Sequence, residues 1–305
     1  MSLSSPQSIL LDSPSQFVIY GANGWMGRSA VEFLSLIVPE IAKERLLLIG
    51  SRPSELVING KTFKILDPAA GFSCIEENSV FLNSAFLRRE ALLTVPAEEY
   101  VKKNREISAF AMRILKEKKL FSFINLSSGA ARSMDVVSNL KTADEYAAMK
   151  KDLEVEFAEL GRKHKTPIVN CRIYSLSGRH LNEFENLALS SFIKQAQGSN
   201  QIEVKSPSTK RTYLDATNLA AILFNIACKG DDANFDSGGA LVKMSELARN
   251  VANALGKKDC EILCGDNQSP DYFGDYESFN ELATELGVEM FGIQEQILRT
   301  LEAFN

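Results

Sequence analysis

The chain is poor in the residues from which many catalytic and metal centres are built. It has two histidines, His164 and His180, and five cysteines in 305 residues. Cys74, Cys171, Cys228, Cys260 and Cys264 are scattered and odd in number, and the close pair in "CEILC" has three residues between its thiols. This is neither a disulfide framework nor a metal-site spacing, and it predicts reduced thiols in a cytoplasmic protein with no bound metal. No apolar run approaches the length of a membrane span. The start, "MSLSSPQSILLDSPSQ", lacks the basic residues and apolar run of a secretory signal, and residues 1–15, rich in Ser and Pro, are expected to form a loose leader. Basic charge is not in excess: 34 Lys and Arg against 39 Asp and Glu leave a net charge of -5. That argues against a nucleic-acid partner, although a locally basic pocket could still take a small anion.

What is present reads as an ordinary folded protein. The composition is 45% hydrophobic and 24% charged, and the length fits one large domain or two smaller ones. The most informative stretch is "FVIYGANGWMGRSAVEFL", 17–34. "FVIY" has the β-branched and aromatic content of a buried strand, and "RSAVEFLSLIV" repeats apolar residues at helical intervals. Between them stand Gly21, Gly24 and Gly27, spaced G-x-x-G-x-x-G. A strand, a glycine turn and a helix form the setting of a dinucleotide site. There Gly21 permits the turn, Gly24 lets backbone approach the pyrophosphate, and Gly27 lets helix and strand pack closely. Asn23, Trp25 and Met26 lie in the same turn and are counted with the cofactor-binding residues, the side chains of Trp25 and Met26 being expected in core packing. Similar glycine turns also occur in other α/β folds.

Further strands are expected at 44–51, 61–67, 79–85, 120–128 and 167–175, with long amphipathic helices at 98–119 and 143–164. This alternation predicts an α/β fold, a Rossmann-type doubly wound parallel sheet with ligands beyond the carboxyl ends of its strands. Those ends carry Gly21, Arg52, Asn83, Ser128 and Tyr174. After Ser175 the rhythm changes. Residues 16–175 with 213–240 are expected to form the dinucleotide-binding domain, and 176–212 with 241–305 a smaller, substrate-binding lobe.

Tyr146 and Lys150 lie four residues apart in "YAAMK", hence on one helix face. An ammonium beside a phenol lowers the phenol pKa, and such a tyrosine can exchange a proton with a hydroxyl or carbonyl while hydride moves to or from a nicotinamide. Upstream, "INLSSGAA" puts Ser127 and Ser128 at a strand end, where a hydroxyl could bond the same reacting oxygen. Asn83 could reach the cofactor through its amide, or simply shape a turn. His180, in "SGRHLN", lies at the expected substrate entrance, whereas His164, in "GRKHK", is expected to be solvated.

In combination, "GANGWMG", "NLSSGAA" and "YAAMK" resemble the extended short-chain dehydrogenase/reductases, the family of nucleotide-sugar epimerases, dehydratases and reductases. The resemblance runs from about 17 to 303. It implies that Ser128, Tyr146 and Lys150 are catalytic, that Tyr146 and Lys150 also bind the cofactor, Lys150 at the nicotinamide ribose, that Asn104 matches a helix asparagine bridging structure and proton relay, and that Arg211, in "KRTYLDATNL", meets a nucleotide phosphate. With Ser128 and His180 this makes Arg211 a substrate-binding residue, and the resemblance also implies a homodimer through paired long helices. Two departures stand out. Gly129 and Ala130 occupy the places where the family's dehydratases carry acids, which speaks against a dehydratase. "QSPDYFGDYESF" lacks the second phosphate-binding arginine often found there.

The cofactor reading turns on "LIGSRPSE". NAD sites usually place an acid after the second strand, to hold ribose hydroxyls. Ser51 and Arg52 stand there instead, and Arg52 could pair with a 2′-phosphate, or simply be a solvated surface residue. NADP is therefore favoured over NAD, and with it net reduction of the keto group of a nucleotide-linked sugar. An epimerase with recycled NAD is the alternative, and a catalytically silent dinucleotide sensor a third reading.

Overall fold

The computed structural model describes residues 14–37, 44–136, 145–181 and 187–304. The leader expected at 1–15 falls mostly outside the described residues. The chain divides into two compact units, Met1–Ile173 with Ala220–Phe235, and Tyr174–Leu219 with Asp236–Asn305.

The first unit is built on a mostly parallel sheet. β1 (Phe17–Tyr20) leads through the glycine turn into α1 (Trp25–Ile37), and β2 (Leu46–Ile49) returns beside it. β3 (Ser54–Ile58) and β4 (Lys61–Leu66) form an antiparallel hairpin. α2 (Pro68–Cys74), β5 (Ser79–Asn83), α3 (Ala97–Glu117), β6 (Leu120–Ser128), α4 (Gly129–Val136), α5 (Glu145–His164) and β7 (Ile168–Ile173) follow. The sheet gains its last strand, β11 (Ala233–Asp236), from much later in the chain, and its order is β11-β7-β6-β5-β1-β2-β4-β3. The order reverses at β1, with β2 on one side and β5 on the other, as in doubly wound dinucleotide folds.

Packing explains the strand sequences. β1 and β5 are buried along their whole length, which requires the continuous apolar runs of a sheet covered on both faces. On one face Val18, Phe81 and Phe123 meet Ile114 and Leu115 of α3 and Leu153 and Phe157 of α5. Phe81 stacks on Phe123, with ring centroids 5.3 Å apart, and Phe157 packs on Phe123 at a tilt, 5.0 Å away. On the other face Phe17 meets Phe224 edge-on at 5.5 Å, and Phe33 stacks on Phe224 at 6.2 Å.

The second unit contains two small sheets. β8 (Ser175–Ser177), β10 (Lys210–Asp215) and β12 (Ala240–Lys243) form one, with β10 central. β9 (Gln201–Val204) pairs with β13 (Glu261–Cys264) in the other. Around them lie α6 (Ala188–Gly198), α8 (Met244–Ala254), α9 (Tyr276–Glu285) and α10 (Ile293–Leu301); α7 (Ala216–Ala227) crosses the unit boundary. Leu189, Phe192, Ile193, Ile202, Val204, Leu247, Val251 and Ile297 form the core.

Three features differ from the sequence reading. The hairpin β3–β4 replaces a single strand, because Asn59 and Gly60 take φ of 50° and 71°, the paired positive values of a tight hairpin turn. The stretch 197–211, read as polar, contains β9, whose Ile202 and Val204 are buried by pairing with a segment far along the chain. Residues 213–219, expected with the large sheet, cluster with the second unit, because β10 bonds β8 and β12.

Candidate active site

The glycine turn is fastened at both ends. Gly21 and Ala22 both donate their backbone N–H to the Ile49 carbonyl, at 2.9 and 3.2 Å, and Gly24 N–H bonds the Gly21 carbonyl at 2.9 Å. Gly21 has φ +89°, and a Cβ there would lie 2.6 Å from the Ala85 nitrogen. A Cβ on Gly27 would lie 2.3 Å from the Gly21 carbonyl oxygen and 2.7 Å from Ala22 Cα. These neighbours are backbone, so the turn can lie against the segment after β5 only without a side chain at Gly21, and α1 can lie this close to the end of β1 only without one at Gly27. α1 has no acid in its first turn, leaving the positive end of its dipole uncontested, as an anion site needs. Met26 is buried. Trp25 is half-buried, and its indole Nε1 is buried without a hydrogen-bond partner. Asn23 Nδ2 donates to Ser54 Oγ at 3.2 Å, tying the turn to the start of β3. Ser51 and Arg52, just past β2, are exposed. A nicotinamide dinucleotide fits this set: a cradle that a Cβ would fill, and a free helix end.

The remaining unit 1 candidates gather around the ends of β5 and β6. Lys150 is 8% exposed. Its ammonium donates to the Leu126 carbonyl at 2.8 Å and lies 3.8 Å from the centre of the Phe86 ring. Phe86 meets the Tyr146 ring edge-on at 5.9 Å, and the ammonium is 6.0 Å from the Tyr146 ring centre. Ser128 Oγ accepts from the Ala130 N–H at 3.2 Å. The structure thus assembles Tyr146, Lys150 and Phe86 in one group, with Ser128 two residues past the carbonyl that Lys150 bonds.

The segment that carries Phe86 is pinned to α3. Asn104 is fully buried, and its Oδ1 accepts from the Leu87 N–H at 2.7 Å while its Nδ2 is without a hydrogen-bond partner. Tyr100 donates its hydroxyl to the Leu87 carbonyl at 2.8 Å.

Behind Lys150, one helical turn on, Glu154 anchors a charge network. Arg172 bonds it through two nitrogens at 2.8 and 2.7 Å, and Ser127 Oγ donates to it at 2.6 Å. Burial pushes the Glu154 carboxyl up, but the Arg172 and Ser127 hydrogen bonds and the Arg172 charge outweigh it and hold the carboxyl below its ordinary value. Burial drives the Lys150 ammonium down to about 7, against the opposing pull of Glu154. Desolvation favours the neutral amine, whereas a nearby carboxylate favours the cation. Phe86, Glu154 and Arg172, which the structure places around Lys150, were not among the candidates read from the sequence, and Ser127, read there beside Ser128, directs its hydroxyl to Glu154. Glu154 had a signal, since it repeats the four-residue spacing of Tyr146 and Lys150; Phe86 had none.

A stability prediction follows from Lys150. Between pH 7 and 10.5 the unfolded chain binds a proton at this lysine that the folded chain lacks, so folded stability rises with pH across that window. Below pH 7 the buried charge exerts its full cost. Lys150→Met should therefore melt above wild type at pH 6, with the gap closing as pH rises toward 10. Thermal melts of both proteins at pH 6, 8 and 10 check this, and a pH-independent gap would disprove it.

Arg211 and His180 belong to the second unit. Arg211 stands on β10, its guanidinium 5.9 Å from the centre of the Tyr272 ring and its Nε buried without a hydrogen-bond partner. Tyr272 packs on Tyr174 at 4.9 Å. His180 is half-buried, three residues past β8. In the same unit Arg299 bonds the fully buried Asp215 at 2.8 Å. Among the described residues no His, Cys, Asp and Glu cluster could hold a metal ion, and no helix is long and apolar enough to cross a membrane.

A family model described as the NAD dependent epimerase/dehydratase family matches residues 17–235. No curated protein sequence matches the chain. Among solved structures, an epimerase from the thermophilic methanogen Methanothermobacter thermautotrophicus is 13% identical with a TM-score of 0.74, over 100% of this chain and 96% of that one. The UDP-glucose 4-epimerase of Thermotoga maritima, solved with UDP-glucose, is 16% identical with a TM-score of 0.72, over 95% and 98%. The UDP-N-acetylglucosamine 4-epimerase of Bacillus cereus is 18% identical with a TM-score of 0.69, over 95% and 99%. At these identities the likeness is one of fold.

Proposed function

Because the chain belongs to the NAD dependent epimerase/dehydratase family, we propose that it is an oxidoreductase acting on a nucleotide-linked sugar, with Tyr146, Lys150 and Ser128 as its catalytic residues. The observation that carries this is the gathering of Tyr146 and Lys150 about one aromatic ring, beside a strand end bearing Ser128. When bound, a nicotinamide dinucleotide supplies the hydride chemistry. Tyr146 Oη gives its proton to the reacting oxygen in the reducing direction and takes it back in the other. Lys150 lowers the cost of the phenolate that results, and Ser128 Oγ steadies the same oxygen. Gly21, Gly24 and Gly27 would hold the pyrophosphate with the backbone of Asn23, Trp25 and Met26. Arg211 and His180 are proposed for the substrate, the residues of 176–212 and 241–305 forming its lobe.

The preferred cofactor in this reading is NADP, consumed in net reduction of a keto sugar. Arg52 is exposed at the end of β2, with no acid at the strand end to repel a 2′-phosphate. The second reading is an epimerase with recycled NAD, favoured by the family and by the epimerases that share the fold. Fluorescence titration separates the two. NADPH should bind more tightly than NADH, and Arg52→Ala should weaken NADPH about tenfold while leaving NADH unchanged, the loss of a charge-assisted hydrogen bond. A preference for NADH, or dinucleotide retained through purification, would put the epimerase first. A homodimer formed through α3 and α5 and a cytoplasmic location complete the proposal, the latter supported by five free cysteines.

A further inference from the structure

The large sheet holds a row of polar side chains that the tyrosine–lysine chemistry does not use. Asn83, Asn125 and Asn170 stand at one register level on the adjacent parallel strands β5, β6 and β7. Asn234 lies on β11, the next strand out. Their amides link in one direction. Asn83 Nδ2 donates to Asn125 Oδ1 at 3.5 Å, Asn125 Nδ2 to Asn170 Oδ1 at 2.7 Å, and Asn170 Nδ2 to Asn234 Oδ1 at 2.9 Å. The first three residues are only 7%, 3% and 7% exposed. Asparagine is a poor strand residue, and a buried amide is costly unless bonded, so three in register inside a parallel sheet call for a physical reason.

The direction of the chain supplies one. An amide that donates its N–H becomes a better acceptor at its own carbonyl, and in a head-to-tail series this polarisation accumulates at the first carbonyl. That carbonyl is Asn83 Oδ1, and it is buried with no hydrogen-bond partner. Asn83 ends β5, between β1 with its glycine turn and β6 with Ser128. The next residue belongs to the cradle itself: Ser84 Oγ donates to the Tyr20 carbonyl at 2.7 Å, and a Cβ on Gly21 would strike Ser84 and Ala85.

We propose that Asn83 Oδ1 accepts a hydrogen bond from the nicotinamide half of a bound dinucleotide, and that Asn125, Asn170 and Asn234 are positioning residues that keep this carbonyl turned to the ligand by occupying the Asn83 amide N–H. The inference rests on the dinucleotide reading above. The atom of the Asn83 amide left without a partner is its Oδ1, and a carbonyl oxygen can only accept, so its partner must be a donor. Phosphate oxygens have no proton to give, whereas ribose hydroxyls and a carboxamide N–H do. The half is set by the sheet order: Arg52 follows β2 on one side of β1, and Ser128 ends β6 on the other, with β5 between β1 and β6. The far end of the ladder is ~14 Å away, three strand spacings.

The test uses whichever reduced dinucleotide the wild-type protein binds, titrated by nicotinamide fluorescence, with ADP titrated by calorimetry as the adenine-half control. Asn83→Leu should weaken the dinucleotide about tenfold, the worth of one buried hydrogen bond, and leave ADP within about twofold. The 3-acetylpyridine analogue, which lacks the carboxamide N–H, identifies the donor: a penalty that persists with it marks a ribose hydroxyl, and one that vanishes marks the carboxamide. Asn170→Leu should weaken the dinucleotide by several-fold with ADP unchanged, and Asn170→Asp, which still accepts from Asn125, should restore it. If Asn170→Leu does not fold, Asn234→Ala, at the exposed end, should show the same one-sided loss, smaller in size. Equal losses for ADP and dinucleotide would reduce the ladder to scaffolding and overturn the proposal, as would unchanged dinucleotide affinity in Asn83→Leu. A wild-type protein that binds neither ligand would instead overturn the dinucleotide reading, and the ladder's role with it.

Discussion

Tyr146→Phe should lower turnover by about 10²–10⁴-fold, the usual worth of a positioned proton donor, while dinucleotide affinity and melting temperature stay close to those of the wild type. The expectation of a selective loss comes from how the ring is held. Tyr146 meets Phe86 edge-on at 5.9 Å, and a phenylalanine ring makes the same contact. What goes is the hydroxyl proton, and with it the phenolate that Lys150 is proposed to stabilise. The measurement is a steady-state assay beside a fluorescence titration of the same preparations. Turnover within a factor of a few of wild type would remove Tyr146 from the mechanism. A fall in dinucleotide affinity to match the fall in rate would make it a binding residue.

The second large effect is expected at Gly27. In Gly27→Ala the new methyl meets the Gly21 carbonyl oxygen and Ala22 Cα at 2.3 and 2.7 Å, and neither can rotate away as a side chain tip could. α1 must move off β1, which costs about 1–3 kcal/mol as other overpacked contacts do. The same movement takes the N–H groups of the first helical turn out of line with the anion. Affinity for dinucleotide should fall by at least about tenfold, together with a drop of several degrees in melting temperature. Gly24→Ala is the milder companion, since its methyl would stand 3.2 Å from the Gly21 carbonyl oxygen, and it should cost less on both counts. Unchanged affinity in Gly27→Ala would mean that the turn is not the pyrophosphate cradle.

The strands of the large sheet were legible because a strand buried on both faces has to be a continuous apolar run, as "FVIY" and "LLLI" are. The turn after β1 was legible because only glycine tolerates φ +89° with backbone at 2.6 Å. Tyr146 and Lys150 were legible through a spacing that α5 converts into one face. The Asn59–Gly60 hairpin was legible too: Asn-Gly after a strand that alternates exposed with buried residues is a strong local hairpin signal, although the sequence reading gave only its second strand. β9 was not legible locally. Two of its four residues are buried, and its partner strand lies 57 or more residues away. The same holds for Arg172, which meets Glu154 only because α5 packs on β7, and for the four asparagines, each unremarkable in its own segment and brought together only by the order and register of neighbouring strands.

The unit boundaries also have a consequence for synthesis. When residue 173 has left the ribosome, β1, β2, β4, β5, β6 and β7 are all available, but β11, which pairs with β7, lies more than fifty residues further on. Until it arrives, the nascent sheet ends in the buried strand "IVNCRI" with a row of unpaired backbone groups, which is the kind of edge that recruits other chains. Truncations anywhere between β7 and β11 should therefore give insoluble rather than merely inactive protein, and the full chain should depend on chaperones more than its size suggests.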